Sequence, residues 1–142
     1  GKVLHFGTHN AGRLALHICK TMLTTMLSDN QAGFVKIKDL GIKLTEEIQS
    51  ISKKNNKNKM ICQGVNSMFQ IFFTDQEKIC NYRDFCRSVD RIKFRNFALK
   101  LFDKGIYMNP SATLHSLSSI IHTEKDIEVT ARAIAETLDE MP

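Results

Sequence analysis

The most constraining feature of the sequence is the run 68–74, in which apolar residues occupy both faces of a possible strand. The segment reads MFQIFFT, and its aromatic and β-branched content over so few positions is typical of a strand and too short for a buried helix. A second apolar run begins at Met60, and Gly64 between the two runs favours a turn. We therefore predict a β-hairpin that other elements cover on both sides.

Helical periodicity precedes the predicted hairpin. Apolar residues recur at helical spacing over residues 14–26, and the polar residues 28–30 then interrupt the pattern. Those polar residues can cap a second helix, whose apolar stripe runs over residues 34–51 with polar side chains largely on the other face. This arrangement predicts two successive helices, the second of which packs on one side only.

Two further helices are predicted nearer the end of the chain. Asp90 can cap a helix that carries apolar residues as far as residue 102, and Gly105 is placed to end it. Thr123 with Asp126 three residues later resembles a capping box, and it precedes an apolar stripe that reaches Leu138.

The segments between these helices are expected to be irregular or extended. Residues 76–89 show no clear period and are expected to form a loop. Residues 106–108, which Pro110 stops, and residues 117–121 are expected to form short strands. The order of the elements predicts an α+β fold in which a small antiparallel sheet is packed with helices.

Charge and composition argue against several classes of protein. The net charge is +5, but much of the excess lies in residues 53–59, which are expected to be a solvated connector. No apolar run approaches the roughly 18 residues that a membrane helix needs. A nucleic-acid binder that stacks bases on the aromatic strand is a minor alternative, because a strand buried on both faces offers no such platform. Neither a membrane nor a nucleic acid is therefore an expected partner.

The cysteines and histidines predict no metal site. The four cysteines show neither a CxxC pair nor zinc spacing, and the histidines form no metal-binding pattern. We expect reduced and mostly buried thiols at all four cysteine positions. These are Cys19, Cys62, Cys80 and Cys86.

Several short strings resemble, in the same order, segments of the class III aminotransferases. Residues 7–15 (GTHNAGRLA) resemble the Gly-Thr…Asn-Pro-Leu-Ala stretch of that family. Residues 63–69 (QGVNSMF) look like the hairpin of the glutamate-1-semialdehyde aminomutases, and residues 81–84 (NYRD) are similar to the Asn-Tyr-Glu-Asp that follows there. Further matches complete the series over essentially the whole chain, at residues 72–74, 105–107, 110–111 and 122–127.

The resemblance implies the C-terminal domain of a fold-type I pyridoxal-phosphate (PLP) transferase. Residues 1–30 would carry a phosphate-contact motif and a linking helix, and residues 31–142 would form the C-terminal small domain. The resemblance implies a PLP-dependent aminomutase, a cytoplasmic homodimer that converts a small amino substrate, glutamate-1-semialdehyde, into 5-aminolevulinate for tetrapyrrole biosynthesis.

By the same resemblance, Gly7 and Thr8 would contact the cofactor phosphate in the partner subunit's active site. A hydroxyl and backbone N–H groups near a helix start suit a phosphate. The simpler alternative is that Thr8 caps a helix that begins near Gly12 or Arg13. His9 lies next to Thr8, and His122 is expected to be a structural residue at a strand-to-helix corner.

Departures from the family pattern leave the substrate open. Gly12-Arg13 stands where the family has Asn-Pro, and Leu114-His115 stands where the aminomutases have a Glu-Ala step near the active site. No catalytic residue is assigned, because the family's Schiff-base lysine lies upstream and only Lys2 precedes the Gly-Thr motif. The chain alone is therefore expected to be inactive. Another class III aminotransferase, or a non-catalytic module derived from this fold, is the alternative.

Overall fold

The computed structural model describes residues 12–142, which fall into two compact units that divide between Lys36 and Ile37. Helix α1 (Arg13–Lys54) begins in the first unit. Its helical dihedral angles are interrupted from Ser28 to Gln31, and the last three of these residues have φ angles of 49°, 55° and 65°. The predicted break between two helical segments is therefore confirmed.

The first helical segment is apolar without being buried. Leu14, Ile18 and Met22 are all exposed, whereas Met26 is buried. A helix satisfies its own backbone hydrogen bonds, so apolar spacing can predict the helix without predicting what covers it. Phe34 in the second predicted stripe is also exposed, and Leu40 is buried in the second unit.

The second unit contains the predicted hairpin. Strand β1 (Met60–Val65) pairs antiparallel with strand β2 (Met68–Phe73), and the pairing runs from Met60 opposite Phe73 to Val65 opposite Met68. The turn predicted at Gly64 lies two residues later, because Gly64 is in β1 opposite Phe69. The two-residue turn carries Asn66 at φ 53°, a left-handed conformation that asparagine tolerates. Strand β3 (Ser116–Leu117) pairs with the start of β2 and gives the sheet order β1-β2-β3.

Helices cover both faces of β2, as the apolar run predicted. On one face the ring of Phe73 meets Phe97 in an edge-to-face contact with centroids 5.3 Å apart. On the other face Phe72 meets Phe85 in the same way at 6.0 Å. The α+β fold with a small antiparallel sheet packed with helices is confirmed.

The prediction of a loop over residues 76–89 is wrong in part, because helix α2 (Tyr82–Ser88) lies within it. Asn81 caps this helix, and its side-chain oxygen accepts hydrogen bonds from the backbone N–H of Arg83 and Asp84 at 2.9 and 3.1 Å. A helix of seven residues spans only two turns. Such a short helix leaves no periodic apolar stripe to detect, and Phe85 is its one buried residue.

Helices α3 (Arg91–Asp103) and α4 (Glu124–Glu140) begin and end where the sequence predicted. Asp90 accepts a hydrogen bond from the Lys93 N–H at 2.8 Å. Gly105 has φ +81°, and the following N–H of Ile106 donates to Leu101 at 2.9 Å, which is the Schellman arrangement. The predicted capping box at the start of α4 is present.

Two of the short strands were predicted wrongly. Residues 106–108 form no strand, since the Ile106 N–H is used by the end of α3 and the segment has no ladder partner within residues 12–142. Of the strand expected over residues 117–121, only Leu117 is in β3, and a turn bonded from Ser119 to His122 follows.

The expectation of mostly buried thiols was also wrong. Cys62 is buried on β1, but Cys19, Cys80 and Cys86 are exposed, and all four are free thiols. An apolar neighbourhood in the sequence did not distinguish the covered side of an element from its open side. Cys19 shows this, because it lies on the exposed part of α1.

Candidate functional site

The residues assigned to the cofactor phosphate, Gly7 and Thr8, lie outside the described residues, as do His5 and His9. Gly12 is the first described residue, and its carbonyl accepts the first hydrogen bond of the helix from the Leu16 N–H at 2.9 Å. Helix α1 thus starts at Arg13, where the sequence placed it, and Arg13 is exposed.

The loop that precedes β3 is fixed by local and long-range hydrogen bonds. The Asn109 side chain accepts from the Ser111 N–H at 2.9 Å, and the hydroxyls of Ser111 and Thr113 are hydrogen-bonded at 2.8 Å. The side-chain amide of Gln70 on β2 donates to the carbonyl of buried Ala112. This loop is therefore attached to the middle of the sheet.

Leu114 and His115, which stand in place of the family's Glu-Ala step, follow this attachment directly. Both side chains are exposed. The chain is held before them at Ala112 by Gln70 and after them at Ser116, which pairs with Phe69. An apolar side chain and an imidazole are thus presented on an anchored loop. Neither can supply the fixed negative charge that a glutamate would place there.

His122 lies at the corner that leads into α4. Its Nδ1 atom accepts a hydrogen bond from the Ser119 N–H at 2.9 Å, so the neutral imidazole carries its proton on Nε2. The adjacent Asp126 carboxylate accepts from the Thr123 N–H at 2.7 Å and from the Thr123 hydroxyl at 2.8 Å. These hydrogen bonds hold the pKa of Asp126 below its ordinary value, because they favour the ionised form.

A cavity of about 540 Å³ opens beside this corner, between α1, β2, residues 105–108 and the start of α4. Its wall is mainly apolar and includes Leu44, Phe69 and Ile127, while His122 and Asp126 contribute polar groups. Neither a lysine nor an arginine lines it. PLP needs a lysine for its carbonyl carbon and donors for its phosphate. The lining of this cavity therefore does not fit PLP.

Other perturbed ionisable groups of the second unit include an ion pair and a thiol of the core. Lys43 and Glu124 are 2.9 Å apart, and their hydrogen bond raises the pKa of Lys43 and lowers the pKa of Glu124. Burial raises the pKa of the Cys62 thiol to about 12, which makes it a poor nucleophile at neutral pH. These groups hold elements together and supply no reactive centre.

Two structural absences apply to residues 12–142. In that range no group of three or more His, Cys, Asp or Glu side chains could hold a metal ion. Within the same described part of the chain, no helix combines the length and the apolar character needed to cross a membrane.

Two glutamines that the sequence analysis did not single out attach loops to the sheet through hydrogen bonds. Gln63 and Gln70 lie directly opposite each other on β1 and β2. Gln70 binds Ala112, and Gln63 accepts from the Ile79 N–H at 2.7 Å and donates to the Ile79 carbonyl at 3.2 Å. Glutamines on strands otherwise rich in apolar residues were the signal in the sequence that could have revealed this role. Their hydrogen-bond partners are distant in sequence and could not be predicted from it.

Comparison with known proteins gives the class of fold first. No family model matches the chain. A glutamate-1-semialdehyde aminomutase from Pseudomonas aeruginosa, in complex with PMP, matches the structure with a TM-score of 0.79 at 14% identity, over 100% of this chain and 31% of that chain. A β-phenylalanine aminotransferase from Variovorax paradoxus matches with a TM-score of 0.76 at 21% identity, over 96% of this chain and 30% of that chain. The fold is that of the C-terminal domain of fold-type I PLP-dependent transferases.

The sequence matches are to one kind of enzyme, whereas the structural matches include several transaminases. A glutamate-1-semialdehyde 2,1-aminomutase of Alkaliphilus oremlandii is 35% identical over 141 residues, which cover 99% of this chain and 31% of that protein. The chain spans about a quarter to a third of the length of the curated relatives it matches. The predicted resemblance to the glutamate-1-semialdehyde aminomutases of the class III aminotransferase family is thus confirmed over nearly the whole of this chain.

Proposed function

We propose that this chain is the C-terminal portion of a PLP-dependent glutamate-1-semialdehyde aminomutase, which makes 5-aminolevulinate for tetrapyrrole biosynthesis as a cytoplasmic homodimer. The observation that carries the proposal is sequence similarity to an aminomutase along 99% of the chain. The agreement of the fold with PLP-dependent enzymes supports it independently. In this proposal the lysine that binds the cofactor is contributed from outside these residues, and the chain alone is inactive.

The direct test uses the native protein from its source cells. Borohydride reduction followed by intact mass and peptide mapping is expected to find a PLP adduct on a lysine outside these residues. The same preparation is expected to form 5-aminolevulinate from glutamate-1-semialdehyde without an external amino donor. A native protein that carries no adduct and forms no product contradicts the proposal and favours the non-catalytic module.

Within this function, Gly7 and Thr8 would bind the cofactor phosphate in the partner subunit's site. The support is the resemblance of residues 7–15 to the family motif, together with a helix that starts at Arg13. Replacing Thr8 with Val in the native homodimer is expected to weaken PLP binding roughly 10- to 100-fold, as loss of a hydrogen bond to a charged group does. Thr8→Ser should retain most of the affinity.

Thr21→Val provides the matched control for that experiment. The Thr21 hydroxyl is exposed and donates only to the His17 carbonyl of its own helix, at 3.0 Å. PLP affinity should be unchanged in this variant. Equal PLP affinity in the Thr8→Val and wild-type proteins would exclude the phosphate contact and leave Thr8 as a helix cap.

A different class III aminotransferase is the second candidate, and Leu114-His115 is the observation that favours it. The anchored loop places no carboxylate at the step where the aminomutases carry one. The two candidates differ in their need for an amino donor. Product formation that requires an added amino acid donor would identify an aminotransferase, whereas donor-independent formation of 5-aminolevulinate would identify the aminomutase.

A further inference from the structure

The cavity beside the start of α4 has the size and the lining of a small-molecule site. Its volume of about 540 Å³ lies within the roughly 300–1,000 Å³ that ligand pockets occupy. Its floor belongs to the core, since Leu44, Phe69 and Ile127 are nearly fully buried and reach it from three different elements. Such a floor is rigid and dry enough to hold an apolar group.

Ser118 supplies a buried polar group that lacks a partner. Its hydroxyl oxygen is inaccessible to solvent and has no hydrogen-bond partner among the described residues, although the residue lines the cavity. That oxygen is closed off from the cavity, so it costs stability without offering a contact to a ligand. Thr130 on α4 lines the same cavity and carries a second hydroxyl.

The charge on the wall selects the kind of ligand. Asp126 is ionised at neutral pH, whereas lysine and arginine are absent from the lining. The hydrogen bonds that its carboxylate receives from Thr123 all go to Oδ2, and Oδ1 receives none from the described residues. One carboxylate oxygen is therefore available at the rim of an apolar cavity. A positively charged head group complements it, and a negatively charged head group does not.

We propose that this cavity binds a small primary amine with an apolar body. The body lies against Phe69 and Ile127, and the ammonium group meets Asp126. Thr130 provides a hydroxyl along the wall. All of these lining residues belong to the second unit, and the proposal does not depend on the aminomutase function.

The test is an NMR titration of the full chain with hexylamine, hexanol and hexanoate, which share one apolar body and differ in charge. Hexylamine is expected to bind saturably and about fivefold more tightly than hexanol, the factor of an accessible ion pair, and hexanoate more weakly than hexanol. Asp126→Asn should abolish the preference for the amine and keep the affinity for hexanol. Equal affinity for hexylamine and hexanoate in the wild-type protein would overturn the proposal.

A second variant separates occupation of the cavity from loss of the fold. Thr130→Leu adds volume inside the cavity and improves helix propensity, so α4 should form normally while all three probes lose saturable binding. Far-UV circular dichroism checks the helix content of both variants. Undiminished hexylamine binding in Thr130→Leu would show that the amine binds elsewhere, and absence of saturable binding in the wild-type protein would refute the site.

Discussion

Gly41 on α1 is a position where the packing of the second unit leaves no room for added volume. A β-carbon built there would lie 2.5 Å from the carbonyl oxygen of Asn66 and 2.6 Å from the α-carbon of Ser67. Both atoms belong to the backbone of the hairpin turn, which cannot rotate away as a side chain would. The helix and the turn are therefore in direct backbone contact at this point.

The sign of the effect of Gly41→Ala separates helix propensity from packing. In the interior of a helix, alanine is ordinarily more stable than glycine by about 0.5–1 kcal/mol. Forcing a methyl group into a filled site costs typically 1–3 kcal/mol. The backbone neighbours place Gly41 toward the upper part of that range, so we expect a net destabilisation of about 1–2 kcal/mol.

Urea unfolding followed by far-UV circular dichroism measures this difference in the chain Gly1–Pro142. A lower unfolding midpoint with an unchanged slope is expected for Gly41→Ala, together with faster hydrogen exchange at the β1–β2 amides. Gly41→Asn should be less stable still, because the added side chain is larger. A Gly41→Ala variant as stable as the wild type, or more stable, would refute the contact.

Gly105 provides a matched contrast, because its requirement is conformational rather than steric. Apart from Gly105 and its two chain neighbours, no described atom lies within 4 Å of a β-carbon built there, but its φ angle is +81°. Asparagine adopts the left-handed region more readily than alanine. At Gly105 we therefore expect Asn to be tolerated better than Ala, the reverse of the order at Gly41. If Ala were tolerated better than Asn at Gly105 as well, side-chain size alone would explain both positions, and the conformational requirement at Gly105 would be refuted.

Three further outcomes follow from the second unit. In the native state at neutral pH, the Cys62 thiol (pKa about 12) should resist alkylation while the exposed cysteines react, and denaturant should abolish that difference, as peptide mapping can show. Lys43 lowers the pKa of Glu124 in the folded protein. The ion pair therefore stabilises the fold above pH 4.5, the ordinary pKa of the carboxyl, and this stabilisation is lost as the pH falls through the lowered pKa. In urea titrations, Lys43→Met should make the unfolding free energy depend less on pH in the acid range. Gln63→Met should remove both hydrogen bonds to Ile79 and cost about 1–2 kcal/mol in unfolding free energy, with loss of amide protection at Ile79.

Sequence reasoning predicted the elements whose signals are local. Asp90, Gly105 and the Thr123–Asp126 pair each act within three or four residues, and each ends or begins a helix as expected. The stripe of α4 also predicted burial correctly, since Ile134 and Leu138 are completely buried. These elements are predictable because the physical cause lies within one or two turns of the residue that reveals it.

The errors arose where the deciding contact is distant or the element is short. Residues 106–108 have the composition of a strand, but a strand needs a partner, and the partner strand of β2 on that side is β3. Gln70 is 42 residues from the carbonyl it binds. Neither fact can be derived from local pattern, because the sheet order that determines both is a property of the folded chain.

The candidate cofactor contact and the loop that carries Leu114 and His115 rest on different kinds of evidence. Gly7 and Thr8 depend on a motif alone, whereas Leu114 and His115 depend on geometry as well as on the motif. The loop that carries the second pair is attached on both sides to β2, so a change of side chain there alters what the loop presents without altering how it is held. A family built on this domain can therefore vary its chemistry at that step at little cost in stability. The departure from Glu-Ala therefore changes what the loop presents rather than how the domain folds.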